Sequence, residues 1–203
     1  MSSSVSLEFP YPPPPPWPEF PLDLSKQDLW VFGYGSLMWN PGFPFREAVT
    51  GRLYGYHRDL CIWSRHYRGD AEQPGLVLGL DRGGSCTGVS YRVAAADRRA
   101  VLAYLQQREL FTDIYHAVCK PVQLHGGRKI TALSFIVDRA HGQYTGRLAV
   151  NEVSRIVAKA RGRRGANREY VLNTLAHLQA MGFPCRRLQQ VAEGLNGARR
   201  SRG

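Results

Sequence analysis

LWVFGYGSL, residues 29–37, sets four apolar residues ahead of Gly33-Tyr34-Gly35. A short apolar run bounded by glycine reads as a buried strand, and the residues behind it, Trp39-Asn40-Pro41-Gly42, are turn sequence rather than the start of a helix. Further strands are expected over 53–62, 76–80, 87–93, 115–124 and 130–137, separated by GD, GG and HGGR turns. Only one helix is expected among them. It is capped by Asp97, carries Val101, Leu102, Tyr104 and Leu105, and ends near Glu109. Three more follow the last strand. Asn151 caps the first, with Val153, Ile156 and Val157; Asn167 opens the second, with Tyr170, Val171, Leu175 and Leu178 on one stripe, stopped by Gly182 and Pro184. The third covers 187–195 and ends at Asn196-Gly197. Many strands with one helix among them, then three helices together, predict an α+β fold: a curled or closed mixed sheet, a small barrel, with helices packed around it.

The 203 residues suit one domain with its own core. The body is expected over 29–196, between an arm at 1–28 and a basic tail at 197–203. Eight of the thirteen prolines fall between Pro10 and Pro21, a run that takes up polyproline II and cannot join a sheet. A rigid spacer, a ligand for a proline-reading domain, and a surface strap docked through Trp17 and Phe20 all fit, so the arm's contacts stay open. No stretch approaches 18 uninterrupted apolar residues, and the start lacks the charged and apolar regions of a secretory leader, so neither a membrane nor export is expected. The four cysteines, Cys61, Cys86, Cys119 and Cys185, form no C-x-x-C pair, which argues against zinc and a disulfide framework and suits a reducing cytoplasm. The formal charge of +11 is almost all arginine, the lysines being Lys26, Lys120, Lys129 and Lys159. Such a surface gathers anions. Its densest patch runs from Arg155 to Arg168 through the RGRRG of an exposed inter-helix loop and lacks interleaved aromatics, so no nucleic-acid partner is expected.

Two stretches carry chemistry. Gly33-Tyr34-Gly35-Ser36 can let backbone N–H groups converge on an anion or a carbonyl oxygen, or it can be no more than a tight strand-to-turn connection. A Walker loop, a dinucleotide fingerprint and a nucleophile elbow all fail on glycine spacing. The second stretch is Gln106-Gln107-Arg108-Glu109-Leu110, where an acid meets the apolar Leu110, Phe111 and Ile114. A carboxylate in that company is a candidate for a raised pKa and for proton transfer near neutrality. Spacing by itself favours the plainer alternative, an exposed glutamate paired with Arg108. Asp113 as a second catalytic carboxylate fits worse. The six histidines show no ligand spacing, so no metal is expected.

Taken together, these stretches resemble the ChaC family of γ-glutamylcyclotransferases. WVFGYGSLMWNPGF at 30–43 is similar to the family's opening strand and substrate loop. The segment from Gly55 to Val93 and YLQQREL at 104–110 also match, and the likeness runs from about 29 to 196. The resemblance implies the γ-glutamylcyclotransferase-like barrel, no cofactor, and a lyase reaction that cyclises the γ-glutamyl group of a small peptide, glutathione, to 5-oxoproline and releases cysteinylglycine. It picks out Glu109 as the catalytic acid and base. It assigns the segment Val31, Phe32, Gly33, Tyr34, Gly35, Ser36 and Leu37 to substrate binding, mainly through backbone donors. Tyr115 and Tyr144 are expected to close the pocket, and the Asn167–Tyr170 pair also has family equivalents. Gly35 is expected to keep the approach to those donors open and to tolerate a positive φ. Where the family places a small residue or glycine before the tyrosine, this chain has Asp113-Ile114. A non-catalytic binding module on the same fold, or a cyclotransferase for another γ-glutamyl amine, are the alternatives.

Removing residues 1–25 is expected to leave the body folded and kcat little changed, because polyproline adds no ladder hydrogen bonds. Melting temperature and turnover of the truncated chain are the measurements. A collapse in either would show the arm to be part of the body.

Overall fold

A computed structural model describes residues 27–200, and side chains through 196. All but the last two residues of the expected arm, with Trp17 and Phe20, lie outside the described residues, as do the side chains of the expected tail. Five strands, β1 (Leu29–Gly33), β2 (Glu47–Ser64), β3 (Gly75–Val93), β4 (Tyr115–Leu124) and β5 (Lys129–Val137), close into a barrel in the order β1-β3-β2-β4-β5. Every pairing is antiparallel except the closing one, where Val31 of β1 lies beside Leu133 of β5 in parallel. Closure follows from burial: Val31, Phe32, Leu80, Val122, Leu133 and Phe135 are all fully buried. Their area removed from water, at roughly 25 cal/mol per Å², is the main drive for the fold.

The expected strands at 76–80 and 87–93 are one continuous strand, β3, and the GG pair between them is not a turn. Tyr54 pairs with Ser85 and Tyr56 with Arg82, so Gly55 faces Gly83-Gly84 across a break in the ladder. All three glycines have positive φ, between 68° and 105°, the conformation glycine adopts without a Cβ penalty. The break is a bulge that lets a hairpin of 18- and 19-residue strands bend around the barrel. Gly88 serves differently. A Cβ there would lie 2.2 Å from the Gly33 carbonyl oxygen and 2.8 Å from the Phe32 ring, so only glycine lets β3 reach the end of β1.

Helix α1 (Arg98–Glu109) joins β3 to β4; α2 (Val150–Lys159), α3 (Asn167–Ala180) and α4 (Arg186–Arg200) follow β5. The segment expected as an inter-helix loop instead forms a two-residue ladder, β6 (Arg161–Gly162) with β7 (Gly165–Ala166). Helix α4 continues to Arg200 rather than stopping at Asn196-Gly197. Val153, Val157, Val171, Leu178, Leu188 and Val191 merge with the barrel in one core. Two expected caps, Asp97 and Asn151, are not side-chain caps, whereas Asn167 opens α3 as expected. Asp97 and Ala149, the residues preceding α1 and α2, make no side-chain cap hydrogen bond, and Asn151 lies inside α2 and accepts from Glu152 N–H at 2.8 Å. Asn167, the first residue of α3, is fully buried and turned to the barrel, where its Oδ1 accepts from Leu76 N–H and its Nδ2 donates to the Leu76 carbonyl, both at 2.7 Å. An amide is the side chain that satisfies one backbone donor and one acceptor at once. A second fastening is ionic: Arg187 of α4 meets Asp59 of β2 at 3.0 Å, with Asp59 2% exposed.

Asn167→Ala is expected to lower the unfolding free energy by about 2–3 kcal/mol, since it strands two buried backbone groups of Leu76. A denaturant titration should show a lower midpoint at unchanged slope. A midpoint equal to that of the parent would mean that water or β2 satisfies those groups.

Candidate active site

The chain leaves the barrel at Gly33 and turns at once. Met38 N–H donates to the Gly35 carbonyl and Asn40 N–H to that of Ser36, both at 2.9 Å, forming a 3₁₀ turn over Ser36–Met38. The turn is tied to the barrel from below. Arg58 of β2, 8% exposed, donates through Nε to the Tyr34 carbonyl and through Nη2 to that of Thr87 at 2.9 Å, and the Tyr91 hydroxyl donates to the Met38 carbonyl at 2.7 Å. Of the residues expected to bind substrate, Val31, Phe32 and Gly33 lie in the strand ladder, and the side chains of Val31, Phe32, Tyr34 and Leu37 are buried. Tyr34, Gly35 and Ser36 form the stretch beyond the ladder. Gly35 has φ −130°, so it makes no use of the positive φ that glycine tolerates, and a Cβ there would meet only a Leu78 methyl at 3.9 Å.

Helix α1 aims its last residue at this turn. Glu109 is 17% exposed and lines a cleft of about 580 Å³ together with Ser36, Trp63, Tyr67, Arg108 and Tyr115. Burial raises its pKa above the ordinary carboxyl value, against the opposing charge and hydrogen bond of Arg108. The pairing with Arg108 that the sequence suggested exists, at 3.1 Å. The solvent exposure that went with that reading does not. Arg108 also donates to the carbonyls of Asn40 at 2.7 Å and Pro41 at 3.1 Å, to Ser36 Oγ at 3.0 Å and to the Tyr104 hydroxyl at 2.7 Å. One guanidinium thus joins the acid to the turn.

Tyr115, at the start of β4, donates its hydroxyl proton to the Leu78 carbonyl at 2.8 Å and accepts a hydrogen bond from Tyr34. Burial, then the neighbouring Tyr115 and Glu109, holds the Tyr34 hydroxyl well above its usual pKa; burial and Glu109 do the same for Tyr115. Both are protonated at neutral pH. Tyr170 of α3 completes the group, its oxygen accepting from Leu78 N–H at 3.1 Å. The five residues between Glu109 and Tyr115 include Asp113, the only described non-glycine residue with positive φ, at 57°. That is the left-handed conformation glycine takes most easily and aspartate tolerates, so the tight turn is kept here without a glycine. Asp113 is exposed and does not line the cleft, and so is no partner for Glu109.

Tyr144 stands apart. It bridges Ile62 of β2 and donates to Asp81 at 2.9 Å, and it is not among the residues lining the cleft. Its neighbour Gln143 is, held by paired hydrogen bonds with the Trp63 backbone at 2.8 and 3.0 Å. Burial opposes ionisation of Asp81, but hydrogen bonds from Arg139 and Tyr144 overcome it and hold its pKa below the usual range. Between Asp81 and Asp59 lies Cys61, a free, fully buried thiol pushed up to about 12 by burial and then by the two carboxylates. Sequence reasoning missed Arg58 and the four-way use of Arg108. Only the adjacency of Arg108 to Glu109 offered a signal.

The ChaC-like protein family model matches residues 29–195. The glutathione-specific gamma-glutamylcyclotransferase of Escherichia coli is 38% identical over 155 residues, 76% of this chain and 67% of that protein. The human glutathione-specific gamma-glutamylcyclotransferase 1 is 31% identical over 171 residues, 81% of this chain and 76% of that protein. The crystal structure of a yeast gamma-glutamyl cyclotransferase specific to glutathione superposes with a TM-score of 0.76 at 20% identity, over 85% of this chain and all of that one, and so shares the fold.

Glu109→Gln is expected to change stability in a pH-dependent way. With the folded pKa raised above the unfolded one, the folded state binds the proton more tightly. The stability gained from that proton is complete below the unfolded pKa and is lost as pH rises through the folded pKa. Glutamine removes that loss and keeps an amide oxygen for Arg108. Relative to the parent, the variant should therefore melt higher at pH 7 than at pH 4. An identical difference at both values would show that Glu109 titrates as an ordinary carboxylate.

Proposed function

The chain belongs to the ChaC-like family, and on that premise we propose that it is a γ-glutamylcyclotransferase that cleaves glutathione to 5-oxoproline and cysteinylglycine. The observation that carries the proposal is Glu109: a shielded carboxyl of raised pKa, opening on the same cleft as Tyr115 and the turn after β1. A γ-glutamyl amide contains its own nucleophile, the α-amine, set to close a five-membered lactam. Such tethering is equivalent to an effective molarity on the order of 10⁵–10⁸ M, so the protein has only protons and charge to manage.

Glu109 takes a proton from the α-ammonium, and the freed amine attacks the γ-carbonyl carbon. As the amide C–N bond breaks, the same carboxyl returns that proton to the departing amine and then relays the second proton of the attacking nitrogen to it, so that a neutral lactam and the ammonium of cysteinylglycine result. A raised pKa suits a group that must both accept and donate near neutrality. Backbone N–H groups of Tyr34–Ser36 hold the α-carboxylate and the developing oxyanion, and the protonated Tyr115 and Tyr34 hydroxyls fix the floor on which the γ-glutamyl group rests. Tyr144 acts through the segment that seats Gln143 at the cleft rim. A reducing cytoplasm is the compartment this reading assigns, in keeping with Cys61, Cys86, Cys119 and Cys185 as free thiols. Among the described residues no helix is long and apolar enough to cross a membrane.

Glu109→Gln should lose at least ~10²-fold in 5-oxoproline release, the lower end of what acid–base groups contribute. In the parent, kcat/KM should fall on the acid side with an inflection above the ordinary carboxyl range, and the variant should lack that limb. Turnover by the variant within a few-fold of the parent would refute this mechanism.

A further inference from the structure

The cleft is electrically lopsided. Glu109 is the one carboxylate among its lining residues, and Arg108 already faces it. Two more arginines, Arg65 and Arg164, line the cleft from the segments that follow β2 and α2. Neither joins an ion pair among the described residues. An arginine in a cleft without a protein counter-charge is a receptor for a ligand's anion.

Arg164 is held in place. Its backbone N–H donates to the Tyr67 carbonyl at 3.0 Å, and its own carbonyl accepts from Arg68. A Cβ on Gly162, one turn of the β6–β7 hairpin away, would come within 2.6 Å of the backbone of Gly69, so the hairpin lies flush on the segment that follows β2. The Arg164 guanidinium sits over the Tyr67 ring, 4.3 Å from its centroid. Tyr67 in turn meets Phe111 edge to face at 5.7 Å, and Phe111 is two residues beyond Glu109. The wall of the cleft therefore runs from the acid through two aromatic layers to a fixed cation. Cation–π contact orients the guanidinium and leaves its N–H edge open to a carboxylate.

We propose that Arg164, on its Tyr67 platform and with Arg65 lining the same cleft, binds the terminal carboxylate of the leaving dipeptide, and so selects γ-glutamyl peptides over γ-glutamyl amines. The inference rests on the cyclotransferase reading above. It assigns the distal carboxylate because the α-carboxylate is one carbon from the reacting amine and must lie beside Glu109, whereas Arg164 stands beyond Phe111 and Tyr67. An extended dipeptide spans about 7 Å, so its terminal carboxylate lies well away from the reacting carbon and from Glu109. Arg164 takes no part in proton transfer and acts by positioning the leaving group.

The test compares kcat/KM for glutathione with kcat/KM for glutathione whose terminal carboxyl has been converted to the primary amide. The parent should favour the free carboxylate roughly tenfold, the scale of one charge-assisted contact. Arg164→Ala should bring the ratio close to one, mainly through KM for glutathione. Arg164→Lys should restore part of it, and Tyr67→Leu, which frees the guanidinium, should give an intermediate value. Added salt should reduce the parent's ratio more than that of Arg164→Ala. A ratio unchanged in both Arg164→Ala and the Arg65→Ala/Arg164→Ala pair would overturn the proposal and leave the cyclotransferase reading intact. Release of 5-oxoproline from neither substrate by the parent would overturn both.

Discussion

The contact between Arg108 and Glu109 governs how the rest of the site is arranged. A guanidinium has five N–H donors in a fixed plane, and here they are shared among the acid, the turn after β1 and Tyr104. Lysine could match the charge but not the simultaneous geometry. The same contact sets the acid's chemistry. Burial favours the neutral carboxyl and Arg108 favours the carboxylate, and burial prevails. On the proposed reading a fully solvated glutamate would be too weak a base and an unpaired buried one would stay protonated, and Glu109 lies between the two.

Much of the barrel was legible because strand periodicity and glycine punctuation are local signals. Strand β4 falls where alternation places it, at Tyr115–Leu124, and β5 differs by one residue. The errors have a common cause. Gly83-Gly84 reads as a turn because two glycines end a strand in most settings, and only pairing with Gly55 on another strand turns them into a bulge. Asn151 reads as a cap because asparagine usually serves its own helix, yet it lies inside α2; Asn167 opens α3 as expected, but its side chain serves Leu76, some ninety residues away. Its apolar neighbours made Glu109 a candidate and the family resemblance singled it out, but spacing by itself favoured an exposed glutamate, and its burial could not be read. Burial depends on the approach of the turn after β1, and Arg58, which anchors that turn, lies in a strand with nothing around it to mark it.

Four buried polar side chains act alike. Asn167, Asp59, Asp81 and Arg58 are buried, and each connects two elements that apolar contact alone would leave free to slide: α3 to β3, α4 to β2, the segment after β5 to β3, and the turn after β1 to the barrel. Apolar packing is non-directional. Hydrogen bonds and ion pairs in a low dielectric fix register, and a cleft assembled from six separate segments needs register more than it needs stability.

Barrel closure also has a consequence in time. β1 carries the turn on which the site is built, yet it is stitched to β3 and finally to β5, where Val31 meets Leu133 about a hundred positions along the chain. Contacts so distant in sequence are paid for in loop entropy before they return anything. During synthesis β1 emerges before either partner exists, and cannot be enclosed until β5 has followed. Competence for chemistry therefore arrives with the last joining of the barrel rather than accumulating along the way, and an incomplete chain exposes an unpaired apolar strand instead of a partly working enzyme.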